Sequence, residues 1–254
     1  MEKFCRFANA LRMHKIDIAL VTSPANVTYT TGFDVPYYKS FMETVAKDSP
    51  MAVGVITAAD SHRKLFASDF YVHKVKRCPC VEDVTYFRNY DAFEDIEPTG
   101  GVVAAIKEYL RKLGADKAVI GIEPQTCPAN IYSMIRECFP NMKIVDVYPA
   151  LYEARKIKTA EEILLLREAS RVMDIAQNTL IEIADSDGKE ELTEFDIWAR
   201  VQLAINNSTD ELLPVVGELV TGAATGLSDY PLGPKRRVIK RGDAGIMDVC
   251  PRVN

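Results

Sequence analysis

Residues 155–169 have the sequence RKIKTAEEILLLREA, which marks the start of a long helix. Thr159 and Glu162 have the spacing of a capping box, in which each side chain bonds the backbone N–H of the other residue. Apolar residues then recur at helical spacing for roughly six turns, at Leu166, Ala169, Met173, Ala176, Leu180 and Ile183. The pattern predicts an amphipathic helix with one buried face.

Downstream of this helix the pattern predicts a second helix and two strands. The polar run 185–188 breaks the first helix, and Thr193 with Asp196 caps the next one. Strand-like segments follow at 215–221 and 244–249, separated by a loop rich in Gly and Pro. We therefore expect two helices packed on the beginning of a sheet.

Upstream, residues 1–150 alternate between helical and strand-like patterns. The predicted helices are 2–14, 101–113 and 129–138, and the predicted strands are 16–21, 51–57, 64–68, 118–122 and 143–147. Such alternation is typical of an α/β domain in which helices cover a sheet.

Composition narrows the class of protein. The chain has 254 residues, is 48% hydrophobic, and carries a net charge of −5, which disfavours nucleic acid and anionic membranes as partners. No apolar run is long enough to cross a bilayer, and the first residues lack a signal sequence, so a cytoplasmic protein is expected. The six cysteines follow no disulfide framework, and we expect reduced thiols.

The last predicted strand is followed by only five residues. A strand packed on two amphipathic helices needs neighbours on both sides. We therefore expect the second domain to be incomplete in this chain, with solvent-facing apolar surface on the helix that begins after Thr159.

Three segments carry a resemblance to a known family. They are 16–33, with Asn26, Tyr29 and Gly32-Phe33; 155–169; and 237–248, which ends Gly-Ile-Met-Asp. In this order and spacing the chain resembles the creatinase and Xaa-Pro aminopeptidase family, whose prolidase-type members are pita-bread metallohydrolases. The resemblance implies a creatinase-type α/β amino-terminal domain at 1–150, followed at 151–254 by the start of an α+β pita-bread catalytic domain.

The resemblance also implies a function. Family members of this type use two divalent metal ions, Mn, Co or Zn, to activate a water that cleaves a peptide or related amide bond. The expected protein is a homodimeric hydrolase acting on a small peptide or amide.

Asp248 is the one metal ligand that the resemblance assigns within this chain. The family's second aspartate lies about eleven positions further on, beyond Asn254, and the later His and Glu ligands lie further still. One carboxylate cannot hold two metals, so we expect no metal to be bound by this chain itself.

The sequence departs from the family at one position. Better-known members have a histidine about six residues before the position of Arg237, and this chain has Pro231 there. Asp229 and Tyr230 are neighbouring polar groups that could contact substrate instead. The catalytic acid or base is not assigned.

Two other functions stay open. The first is a creatinase-like carbon–nitrogen hydrolase or lyase that works without metals on the same fold. The second is a non-catalytic dimerisation or binding module.

Three further motifs receive no function. Cys78-Pro79-Cys80 is interpreted as ordinary thiols, and the basic run 235–241 as a solvated hairpin. Asn26 and Tyr29 are expected to pack a loop after the first strand.

Overall fold

The computed structural model describes residues 2–35, 50–89, 91, 93–97, 100–186, 191–210, 212–213, 215–226 and 233–253. The chain divides into two compact units, Met1–Ile157 and Lys158–Asn254. Across the described ranges, no helix combines the length and apolar character needed to span a membrane.

The first unit is a mixed sheet with helices on both faces. Its helices are α1 (Glu2–Met13), α2 (Pro24–Thr31), α3 (Val72–Lys76), α4 (Gly100–Lys112), α5 (Ala129–Cys138) and α6 (Tyr148–Arg155). Its strands are β1 (Ile18–Val21), β2 (Ala52–Thr57), β3 (Arg63–Ser68), β4 (Asp83–Phe87), β5 (Val119–Ile122) and β6 (Lys143–Asp146). They lie in the order β4-β3-β2-β1-β5-β6, which confirms the predicted α/β class.

Both faces of this sheet are buried. Side chains alternate along β1, so that Ala19 and Val21 join the core beneath α1 and α6, while Ile18 and Leu20 join the core beneath α4 and α5. Burial on both faces explains why the strand is an unbroken apolar run rather than an alternating one. Strand β1 pairs in parallel with β5 and antiparallel with β2.

Helix α2 corrects the expectation of a loop after the first strand. Pro24 begins the helix, where its fixed φ and missing N–H are compatible with the first turn. Gly32 ends the helix with φ 80°, a left-handed conformation that glycine adopts without strain. The Ser23-Pro24 pair therefore starts a helix shortly after β1, where a loop was expected.

Strand β4 was also missed. It lies at the edge of the sheet and pairs in parallel with β3, Lys64 opposite Asp83 and Ser68 opposite Phe87. A parallel partner some twenty residues away in sequence leaves no local turn signal, so the periodicity alone did not identify the strand.

The second unit consists of helix α7 (Ala160–Asp185), helix α8 (Glu194–Asn207) and the antiparallel strands β7 (Val215–Thr221) and β8 (Gly245–Pro251). Both predicted capping boxes are confirmed. The Glu162 N–H donates to Thr159 Oγ1 at 3.2 Å, and the Thr159 N–H donates to Glu162 Oε2 at 2.7 Å. Thr193 and Asp196 repeat the arrangement at α8.

The first turns of α7 expose apolar side chains, as the sequence analysis expected. Leu164 is 67% exposed and Leu166 is 52% exposed, although Leu166 belongs to the predicted buried stripe. Further along the helix, Val172 and Ala176 are buried against α8 and the strands. The apolar side chains of α7 are therefore buried at the centre of the helix and exposed at its beginning.

Candidate functional site

The β7–β8 sheet presents two different faces. Leu219 and Val249 point to one face and join the core with α7 and α8. Residues of the other face alternate with them, so that Glu218 and Asp248 lie directly opposite each other across the two strands. Asp248 is exposed, and it lies on the face that the helices do not cover.

Residues at directly opposed positions have Cβ atoms about 4.5–5.5 Å apart. Divalent cations prefer carboxylate oxygens as ligands. Glu218 therefore places a second carboxylate, a possible metal ligand, opposite Asp248. Glu218 was not identified from the sequence, although strand alternation places it on the face opposite Leu219.

Cys250 lies beside Asp248 and does not add a charged ligand. Its Sγ is 3.7 Å from Asp248 Oδ1. Partial burial raises the pKa of the Cys250 thiol, and the negative charge of Asp248 raises it further. Cys250 therefore remains a neutral thiol at neutral pH.

The described residues do not complete a metal centre. Within the ranges that the structure describes, no three His, Cys, Asp or Glu side chains come together as a metal-binding group. Two carboxylates cannot satisfy two divalent ions, each of which needs several oxygen ligands. The residues present here thus do not by themselves fit a dinuclear site.

A buried glutamate fixes the position of the sheet on helix α8. Glu194 is 2% exposed, and its Oε1 accepts hydrogen bonds from the N–H and Oγ1 of Thr221, both at 2.8 Å. Its other oxygen accepts from the Lys235 N–H at 2.9 Å. Glu194 therefore joins the end of β7 to the segment that leads into β8.

Arg237 completes this connection. It bonds Thr221 Oγ1, and its Nη2 lies 2.7 Å from Asp243 Oδ2. The backbone N–H of Lys240 and the Arg237 guanidinium lower the pKa of Asp243, which stays ionised. Gly222 (φ 61°) leaves room for the guanidinium, because a Cβ there would lie 2.1 Å from Arg237 Nη2. Arg237 is thus a structural residue, whereas its basic neighbours Lys235 and Arg236 are solvated as expected.

Asn26 and Tyr29 pack the first unit. Asn26 Nδ2 donates to Glu123 Oε1 at 2.6 Å, and Asn26 Oδ1 accepts from Arg155 Nη1 at 2.6 Å. The Tyr29 hydroxyl donates to the Ala154 carbonyl at 3.0 Å. The predicted packing role of both residues is confirmed, although they lie in α2 rather than in a loop.

Two of the three candidate site residues cannot be placed. Asp229 and Tyr230, together with Pro231, lie outside the described residues. Asp248 is placed, exposed, on the face away from the helices, and its role as a metal ligand stays a prediction.

Comparison with known proteins gives the family. The model of the creatinase/prolidase N-terminal domain matches residues 5–157. The chain belongs to the creatinase/prolidase family. A creatinase from Bacillus sp. (strain B-0618) is 24% identical over 169 residues, which are 66% of this chain and 36% of that protein.

Solved structures of the family share the fold over nearly the whole chain. An Xaa-Pro dipeptidase from Bacillus anthracis matches with a TM-score of 0.65 and 18% identity, covering 99% of this chain and 61% of its own. A prolidase from Pyrococcus furiosus matches with a TM-score of 0.67 and 18% identity, covering 97% of this chain and 65% of its own. The chain thus spans less than two thirds of these relatives.

Proposed function

We propose that the protein containing these residues is a metal-dependent hydrolase of the prolidase and Xaa-Pro aminopeptidase type, cleaving a peptide or related amide bond. Family membership supports the general class of hydrolase. The observation that supports metal dependence is the position of Asp248. It is exposed and lies opposite Glu218, on the face of the β7–β8 sheet away from the helices.

The proposed role of this face is to supply carboxylate oxygens. Asp248 is the first ligand, and Glu218 adds negative charge beside it, which favours a divalent cation over a neutral ligand. The metal, when bound, supplies an activated water for hydrolysis. Two residues of this chain hold the sheet in place: Glu194 and Arg237 bind the end of β7 and the segment that leads into β8.

A second candidate is a creatinase-like hydrolase that cleaves a carbon–nitrogen bond without metal. One observation favours it, namely the match to a creatinase. A substrate such as creatine would then be bound by side chains rather than by a metal.

One experiment distinguishes the two candidates. The full-length protein is assayed with an Xaa-Pro dipeptide and with creatine, each before and after treatment with a chelator. The first proposal predicts dipeptide hydrolysis that the chelator abolishes and that added Mn²⁺ restores. Hydrolysis of creatine that the chelator leaves unchanged supports the second candidate. Absence of both activities favours a binding module.

A homodimer in the cytoplasm is also part of the proposal. Size-exclusion chromatography with light scattering of the full-length protein tests the dimer.

A further inference from the structure

Two cysteines occupy a tight turn on the first unit, directly after α3. The Val81 N–H donates to the Cys78 carbonyl at 3.3 Å, which closes a four-residue β-turn. Pro79 takes the second position, where its fixed φ suits the common turn types. Cys78 and Cys80 are therefore the first and third residues of the turn.

This turn brings the two cysteines within range of each other. A β-turn places its first and fourth Cα atoms within about 7 Å. In such a turn, the Cα atoms of the first and third residues, Cys78 and Cys80, lie within the distance of about 4.4–6.8 Å that disulfides span. An extended segment would separate them further.

Both thiols also lie against the same residue. Cys78 Sγ is 3.3 Å from the Gly32 carbonyl oxygen. The position that a Cβ on Gly32 would occupy is 3.5 Å from Cys80 Sγ. Both sulfurs therefore lie beside Gly32, with Cys80 exposed and Cys78 half-buried.

The backbone around the pair is anchored. Arg63 Nη1 donates to the Cys80 carbonyl at 3.2 Å and to the Thr31 carbonyl at 3.3 Å. The Cys78 N–H donates to the Val75 carbonyl at 2.9 Å. The backbone is therefore held on both sides of Pro79.

We propose that Cys78 and Cys80 are a redox-active pair that forms a reversible intramolecular disulfide with small disulfides of the glutathione type. The exposed Cys80 thiolate attacks one sulfur of oxidised glutathione, forming a mixed disulfide and releasing one glutathione thiolate. The Cys78 thiolate then attacks Cys80 Sγ and expels the second glutathione. Two cysteine protons are released, and the two electrons reduce oxidised glutathione to two thiols.

Cys127 is a less reactive thiol. Burial, together with the charge of Glu123, raises its pKa to about 11. A thiol must ionise before it attacks a disulfide, so Cys127 reacts slowly.

Oxidation also has a structural consequence. Cys78 loses its S–H, and with it the hydrogen bond to the carbonyl of Gly32, the residue that ends α2. The redox state of the turn is thereby coupled to the end of the helix that carries Asn26 and Tyr29.

The test uses the full chain and mass spectrometry. The protein is incubated with excess oxidised glutathione, its free thiols are blocked with N-ethylmaleimide, and it is digested with trypsin without reduction. Cleavage after Arg77 and Arg88 leaves both cysteines in one peptide, 78–88. We expect this peptide to be two hydrogens lighter than its dithiol form and unlabelled, and to become doubly labelled after prior reduction with dithiothreitol.

Three variants sharpen the test. Cys78→Ser should trap a stable glutathione adduct on Cys80, and Cys5→Ser should leave disulfide formation unchanged. Pro79→Ala should slow disulfide formation about two- to fivefold, because it loosens the turn. The proposal is overturned if wild-type peptide 78–88 stays doubly labelled, if it ends as a glutathione adduct, or if Pro79→Ala reacts at the wild-type rate.

Discussion

Glu123 is the residue at which strands β1 and β5 and helix α2 meet. Its side chain is fully buried, and it accepts hydrogen bonds from the backbone N–H groups of Thr22 and Ser23, at 2.5 and 2.9 Å. Ser23 Oγ and Asn26 Nδ2 donate to its other oxygen, both at 2.6 Å. A negative acceptor at the amino terminus of α2 also suits the helix dipole.

Glu123→Gln should destabilise the first unit. The amide replaces one acceptor oxygen with a donor that faces other donors, and hydrogen bonds to a charged group are worth about 1.5–3 kcal/mol each. We expect a loss of about 3 kcal/mol in the free energy of unfolding, measured by urea titration. Glu137→Gln, an exposed site on α5, is the control and should change stability by less than about 0.5 kcal/mol. Equal small effects of both substitutions would refute this role of Glu123.

Asp248→Asn should separate function from stability. Asp248 is exposed, and it faces another carboxylate rather than a cationic partner across the strands. Its removal should therefore change the free energy of unfolding by less than about 1 kcal/mol. In the full-length protein the same substitution should abolish chelator-sensitive hydrolysis. A variant that unfolds readily, or that keeps full activity, would contradict this assignment.

Single residues were predicted unevenly. Asp248 could be singled out because the short pattern that ends at it resembles the family's. Glu123 could not, because its partners Thr22 and Ser23 lie about a hundred residues away in sequence. Glu194 was missed for the same reason, since the strand end that it binds follows only after α8.

At the scale of elements, the capping box of α7 makes a direct test possible. Thr159→Ala removes the side-chain acceptor for the Glu162 N–H and should lower the free energy of unfolding of the second unit by about 1 kcal/mol. Thr179→Ala is the matched control in the same helix, where the hydroxyl bonds the Ile175 carbonyl and alanine is a better helix former. Circular dichroism during thermal unfolding should show a lower midpoint for the first variant alone. The same shift in both variants would argue against capping.

The stability of the first unit should depend on pH through Asp83, which lies in the edge strand β4. Burial raises the pKa of Asp83, but hydrogen bonds from Lys64 and His62, together with their charges, outweigh burial and lower it overall. Because the unfolded value is about 3.9, the stabilisation is fully present above that pH. It is lost as the pH falls through the lower folded pKa.

Asp83→Asn tests this dependence. The difference in unfolding free energy between wild type and variant should be largest from about pH 5 upward and should shrink as the pH falls below about 4. Urea titrations between pH 7 and pH 2 measure it. A difference that does not change with pH would show that Asp83 acts without its charge.

Elements with strong local signals were predicted well. Helix α5 was predicted with both ends correct, and α7 and α8 were located by their capping boxes. Helix α2 and strand β4 were missed because tertiary contacts decide them. Helix α2 has weak amphipathicity and is buried on most sides, so its sequence shows no helical stripe.

At the scale of the whole molecule, the sequence was sufficient to predict an α/β unit followed by a helical unit with the beginning of a sheet. It could not give the substrate, because the candidate contacts Asp229 and Tyr230 were chosen for their position beside Pro231 rather than by a motif. The exposed first turns of α7 and the exposed Asp248 on β8 both belong to this second unit.

The central claim is that Asp248 binds a divalent metal ion on the face of the β7–β8 sheet away from the helices. Its most direct test is the metal content of the purified full-length protein, determined by inductively coupled plasma mass spectrometry for wild type and Asp248→Asn. We predict bound Mn, Co or Zn in the wild type and a marked loss in a variant whose circular dichroism is unchanged. Equal metal content in both proteins, or none in the wild type, would contradict the claim.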